Sequence, residues 1–359
     1  MLGYRESHAH PPAGVIYSYS DLRSFRSRLR QPNRETSERS ARTACCRRAI
    51  LNFHQASLRP WYLKGHYQLF DESGHPGEQG MYEYWSTEPG MYRSTWSRPG
   101  RMRTEWHSEN GRTMSVASGG RMLSIESDLR DLLVSAVPDI LKLKPGQDHI
   151  EKDELKVGKI TFPCAKLDLQ KQNDGRWPVI PGVRAGSYCF EGSEPLLRVQ
   201  RVSNSEYIEF DHLRKTQGRI IAGEITWICN GRNILKFSLD ELKEIDRDDP
   251  ALKPTSEARI SADDAPQPSA AQQGRLVKKS PPVYPPAAKA AHVSGTVLLD
   301  VLIGADGKVR DLYVLSSSSP LLTQAAKDSV GQWQYSPYMV DGEPQEVTTR
   351  VTVFFMLGG

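Results

Sequence analysis

The sequence predicts an α+β protein of more than one domain, and three observations lead there. Short aromatic-rich runs alternate from Trp61 to Val116 between Gly/Pro/Asn turns, one amphipathic helical stretch follows at 129–141, and an α-β-β-α-β pattern fills the C-terminal end. A chain of 359 residues is also too long for one ordinary core, so two folded domains and some unstructured chain are expected. The expected layout is a leader over 1–56, an antiparallel β domain over 57–240, a linker over 241–275 and a small C-terminal domain over 276–359.

The leader is set apart by charge. Ten arginines (5, 23, 26, 28, 30, 34, 39, 42, 47, 48) stand against Glu6, Asp21, Glu35 and Glu38 within a net charge of +4 for the whole chain. No Lys precedes Lys64 and no apolar period organises the arginines. A disordered, Arg-rich stretch from a mis-called start fits this better than a nucleic-acid arm. No stretch approaches the ~18 apolar residues of a membrane helix, and Ala13 to Tyr19 lacks the flanks of a signal peptide. A membrane helix or a signal lost with the start remains an open expectation.

In the β domain, Trp61, Leu63, Tyr67 and Leu69 share one strand face. Turns at 71–77, at Glu88-Pro89-Gly90, at Arg98-Pro99-Gly100 and at Asn110-Gly111 separate runs bearing Tyr82, Tyr84, Tyr92, Trp96, Trp106 and Met114. That spacing reads as an antiparallel meander. Leu129, Leu132, Leu133, Ala136, Val137, Ile140 and Leu141 then follow helical spacing, with Pro138 expected to kink or split the helix. Strands are expected near 157–170, 186–191, 195–202, 205–211, 219–229 and 232–239. Of the five cysteines, Cys164, Cys189 and Cys229 fall in these strands. No zinc spacing links them. A Cys164–Cys189 disulfide suited to an oxidising compartment and three reduced thiols are both open. Residues 241–275 are rich in Asp, Pro, Ala and Gln without an apolar period, which predicts a flexible linker.

The C-terminal pattern is sharper. Tyr284-Pro285 leads into an Ala-rich helix ended near Gly295; Val297, Leu299, Val301 and Ile303 alternate as a strand; Asp306-Gly307 turns the chain into a second strand. Pro320 opens a helix with Leu322, Ala325, Ala326, Val330 and Trp333 inward, Pro337 closes it, and a last strand carries Val347, Val351, Val353, Phe355 and Leu357 on one side. These pieces, with Ala326-x-x-x-Val330-x-x-Trp333-x-Tyr335-x-Pro337 and Gly342-x-Pro344, resemble the C-terminal domain of TonB-family energy transducers over about 275–357. The resemblance implies a three-stranded sheet with an unpaired border strand that accepts a partner's extended segment. It implies contacts from Pro282, Tyr284, Pro285, Val347, Thr349, Arg350, Val351, Thr352, Val353, Phe354 and Met356. Structural roles fall to Gly295, Asp306, Gly307, Trp333, Tyr335 and Pro337. It also implies a place in the periplasm or cell envelope and an outer-membrane TonB-dependent transporter as partner. ExbB and ExbD would be partners if a membrane anchor exists, and the protein would be a monomer or a homodimer.

The upstream meander looks like the LolA/LolB-type lipoprotein-carrier half-barrel, a curved antiparallel sheet around an apolar cavity. That resemblance implies Trp61, Tyr84, Trp96, Trp106, Leu132 and Leu133 around a lipid ligand. It keeps open a soluble carrier that uses its C-terminal module only for docking. No phosphate loop, G-x-S-x-G or H-E-x-x-H stands in the sequence, so an enzyme, a cofactor, a metal and nucleic acid are not expected.

Overall fold

The computed structural model describes residues 16–17, 53, 58–88, 91–108, 113–119, 122–137, 148–157, 160–169, 185–192, 195–260, 276–340 and 343–357. Most of them are strand. The first hairpins are β1 (Trp61–Phe70), β2 (Pro76–Glu88), β3 (Met91–Arg98), β4 (Arg101–His107) and β5 (Thr113–Gly119), each antiparallel to the next. Helix α1 (Ser124–Val134) follows. The sheet then continues through β6 (Asp148–Val157), β7 (Ile160–Leu169), β8 (Gly186–Glu191), β9 (Leu196–Arg201), β10 (Glu206–Asp211), β13 (Glu224–Cys229) and β14 (Arg232–Glu244). The short β11 (Leu213–Thr216) and β12 (Arg219–Ile221) pair with each other, and β11 with Ile16–Tyr17, in a separate small sheet. With β15 (Arg259–Ile260) the described residues make one curved antiparallel sheet of thirteen strands in the order β15-β5-β4-β3-β2-β1-β14-β13-β10-β9-β8-β7-β6.

The meander closes because β14 comes back to β1, pairing Leu235 with Leu69 and Glu244 with Trp61. That join brings the two halves of the sheet together. The inner face carries Trp61, Leu63, Tyr67, Tyr82, Tyr84, Trp96, Ile225, Trp227, Leu235 and Phe237, all buried in one cluster. Helix α1 lies across it through Ile125, Leu129, Leu132 and Leu133.

Charge is buried here as well. Glu126, fully buried in the first turn of α1, accepts hydrogen bonds from Tyr67 Oη at 2.6 Å and from the Leu123 backbone N–H at 2.6 Å, and pairs with Arg98 at 2.9 Å. Desolvation nonetheless raises the carboxyl above the ordinary range, against the pull of Tyr67 and Arg98.

Two sequence expectations change. The helix was expected over 129–141 but runs Ser124–Val134, with Ala136 and Val137 buried just beyond it. Residues 138–141 lie outside the described residues. The start moved because Glu126 reaches back to the Leu123 N–H and caps the helix earlier. Pro138 disfavours helical backbone at Val137. The expected linker is also shorter at its near end. β14 runs on to Glu244, a 3-10 turn at Pro250–Leu252 covers the outer face, and Arg259–Ile260 pairs with β5. Residues 261–275 lie outside the described residues, as do most of the leader, Cys45, Cys46 and Gly342.

The C-terminal module follows the expected order. Helix α2 (Pro286–Ala290), β16 (Gly295–Ile303), β17 (Val309–Ser317), α3 (Pro320–Gly331) and β18 (Val347–Phe355) form a three-stranded antiparallel sheet ordered β17-β16-β18. On its helical side Val297, Leu299, Val301, Ile303, Leu322, Ala326, Val330, Trp333, Tyr335, Val351, Val353 and Phe355 share a separate core. Ser319 caps α3 by accepting from the Leu321 N–H. Gly307, at φ 77°, is needed twice over, because a Cβ there would meet Tyr335 O at 2.0 Å.

The module's other sheet face is not free. It sits on the inner side of the large sheet, and Leu298 and Leu315 join the large core. At one border of the large sheet, β6 carries Glu151, Lys152, Glu154 and Lys156 exposed.

Candidate functional site: the border strand of the C-terminal module

The site is built on β18. Nine residues of β16, Gly295 to Ile303, pair with Phe355 back to Val347, so one side of β18 is saturated. Among the described residues no strand pairs along its other side. Side chains alternate strictly at the C-terminal end, with Val351, Val353 and Phe355 buried and Thr352, Phe354 and Met356 exposed. Phe354 is 64% and Met356 79% accessible, large apolar groups left in water beside an open backbone ladder.

The chain before α2 is tied beside this strand. Trp333 donates its indole N–H to Ser280 O at 2.9 Å and Ser329 Oγ donates to the same carbonyl at 2.7 Å. Tyr284 donates its hydroxyl to Val293 O and sets its ring edge-on to Phe355, 5.7 Å between centroids. Pro282 and Pro285 are half-buried while Val283 is exposed. Tyr335 is buried, and desolvation pushes its phenol up to about 12. Asp306 accepts from the Lys308 N–H and pairs with Arg310 at 3.0 Å, the behaviour of a turn residue. Pro337 is exposed just beyond the Gln334–Tyr335 strand pair.

The N-terminal half of β18 has different neighbours. Val347, Thr348, Thr349 and Arg350 are half-buried, and Arg350 leaves the module altogether. Its guanidinium pairs with Asp128 of α1 at 2.8 Å, lies 4.0 Å from Glu206 and covers the Trp227 ring at 4.9 Å. The sequence expectation counted Arg350 among partner-facing residues; its side chain instead meets the large sheet.

The candidate cavity residues separate in the same way. Trp61, Tyr84, Trp96, Leu132 and Leu133 are together in the inner core, but Trp106 is on the opposite face. Strand register decides this: Trp96 stands opposite Arg103, and Trp106 opposite Arg93, whose guanidinium stacks over Trp85. Trp106 donates to Ala251 O at 3.1 Å under the 3-10 turn. An open cleft of about 500 Å³ is lined by His66, Gln79, Gly80, Met81, Ser97 and Arg98, none of the six expected residues.

Cys164 and Cys189 face each other on β7 and β8 and are disulfide-bonded. Cys229 is a buried free thiol. Among the described residues no cluster of His, Cys, Asp or Glu could hold a metal ion, and no helix is long and apolar enough to cross a membrane.

Sequence comparison decides the kinship of this module. Residues 280–357 match the family described as Gram-negative bacterial TonB protein C-terminal. The TonB-type module is also similar to protein TonB of Vibrio cholerae serotype O1, 31% identical over 106 residues, covering 26% of this chain and 43% of that protein. Protein TonB of Xanthomonas campestris pv. campestris is 39% identical over 79 residues, covering 22% and 35%. The chain therefore spans less than half the length of these curated relatives, and the TonB likeness is confined to its C-terminal end.

Two solved structures overlap the remainder. A LolA superfamily protein from Nitrosomonas europaea aligns over 59% of this chain and 97% of its own, with TM-score 0.37 and 10% identity. A DUF1329 family protein from Desulfovibrio piger aligns over 57% and 92%, with TM-score 0.36 and 10% identity. These scores are too low to assign the large sheet by likeness.

Proposed function

We propose that this protein is a TonB-type docking protein of the cell envelope, in which β18 receives an extended segment of a partner by strand addition. One observation carries the reading: in a module matching the TonB C-terminal family, the border strand ends in exposed Phe354 and Met356 beside an unpaired ladder. Main-chain hydrogen bonds along β18 would supply affinity, and the alternate exposed positions Thr352, Phe354 and Met356 would select the partner's side chains. Tyr284, Pro282 and Pro285 flank the same end. Val347 to Val351 would contribute backbone, because Val347 and Val351 pack in the module core and Arg350 turns to α1 and the large sheet. The partner is an outer-membrane transporter of the TonB-dependent kind, and the disulfide between Cys164 and Cys189 suits an oxidising periplasm.

Photo-crosslinking from Thr352 in the full chain, expressed in a Gram-negative cell, tests this. The expected product joins Thr352 to an N-terminal segment of an outer-membrane transporter, and Phe354→Asp together with Met356→Asp should reduce it at least about tenfold, an interface hot-spot effect. Crosslinks that avoid transporters, or that ignore both substitutions, refute the reading.

A further inference from the structure

We propose that the C-terminal module is a detachable clasp on the inner face of the large sheet, with Arg350 as its catch. The proposal is independent of which partner β18 receives.

Each side of the contact has its own core. The module's core is closed by α2 and α3, and Leu298 and Leu315 reach into the large one. The bonds that cross the contact are polar. The Asn230 side chain, at the β13–β14 turn, donates to Ser316 Oγ at 3.1 Å and accepts from Thr296 Oγ1 at 2.8 Å. Arg232 donates to Ser317 O at 2.6 Å, and Ser316 Oγ donates to Cys229 O at 3.2 Å. The Ser124 N–H, in the first turn of α1, points at the buried Asp300 carboxylate at 3.1 Å. Arg350 links two elements at once, α1 through Asp128 and the sheet through Trp227 and Glu206.

A contact of this composition resembles a transient domain interface more than a shared core. Water can replace its hydrogen bonds when it opens, and the module would leave with its own core intact. Closed, the clasp covers Trp227 and Cys229, both almost fully buried. Open, it would uncover that part of the inner face and release Arg350 of β18.

Cys229 is the reporter. In the full-length protein, N-ethylmaleimide labelling followed residue by residue with mass spectrometry should be slow at Cys229. Labelling of a closed site follows its opening equilibrium. Reversing the catch with Arg350→Glu should raise the Cys229 rate about tenfold or more. Adding Asp128→Arg should bring it most of the way back. Thr296→Val, which keeps strand shape but removes the bond to Asn230, should raise it about threefold. Amide exchange over Gly295–Ile303 should show the module core still protected in each variant.

Two results overturn the proposal. One is a Cys229 rate unchanged by both Arg350→Glu and Thr296→Val. The other is a faster rate that appears only together with loss of amide protection in the module, which means unfolding, not release.

Discussion

The two cores of this chain are built from different materials. The large sheet buries aromatic rings together with charge: Tyr67, Tyr82, Trp96 and Trp227 lie in its core, and Tyr67 and Trp96 donate to Glu126, the buried partner of Arg98. The small module's core is mostly Val, Leu, Ile and Ala, with Trp333, Tyr335 and Phe355 among them. A wide curved sheet needs long side chains to reach a helix lying across it, and Tyr and Trp arrive with polar tips that must be satisfied. A narrow three-stranded sheet under α3 can be filled mostly by short branched chains. The first core should therefore be sensitive to chemistry, and the second to volume.

Glu126→Ala tests the first statement hardest. It removes the acceptor for Tyr67 and Leu123 and the buried ion-pair partner of Arg98, so a loss of about 3–5 kcal/mol is expected in urea unfolding. Glu126 also sets a pH signature. Its folded pKa is raised, so the folded state holds the proton more tightly than the unfolded state. That contribution is present below the unfolded carboxyl pKa and is lost as pH rises through the folded one. Wild type should therefore gain on Glu126→Gln as the solution is acidified.

The matching test of the small core is Leu322→Ala, with an expected loss of about 3 kcal/mol from an emptied volume and no dependence on pH. Equal pH dependence of the two variants would end the distinction.

Cys229 lies where the two cores meet, and desolvation pushes its thiol up to about 11. The folded state again favours the protonated form. Its stabilising contribution, complete below the usual thiol pKa, should fade between about pH 9 and 11 by about 2 kcal/mol, and Cys229→Ala should lack that loss. The smallest effect is local: Ser319→Ala should cost the module about 1 kcal/mol through its helix cap.

How much was legible in the sequence follows the same division. In the module, glycines, prolines and the Asp-Gly turn sit where backbone geometry demands them, so β16, β17, α3 and β18 could be placed from residues alone. In the large domain the strands were readable by alternation, but their partners were not. The return of β14 to β1, and the turn that lays Ala251 over Trp106, join residues far apart in the chain, which local pattern does not encode. Trp106 was readable in principle: a two-residue turn at Pro99-Gly100 pairs Arg98 with Arg101 and so puts Trp106 on the face opposite Trp96. The Arg350–Asp128 pair had no local signal, since an arginine in a border strand looks like any solvated charge.

Among the described residues, two of the sheet borders, β6 and β18, are unlike in chemistry. On β6, lysines and glutamates repel a flat neighbour, while β18 ends in bare Phe354 and Met356. Head-to-tail growth needs one border to fit the other, and here a charged rim would have to meet an oily one. Pairing of β18 with β18 of a second copy would be a two-fold contact that consumes both sticky edges.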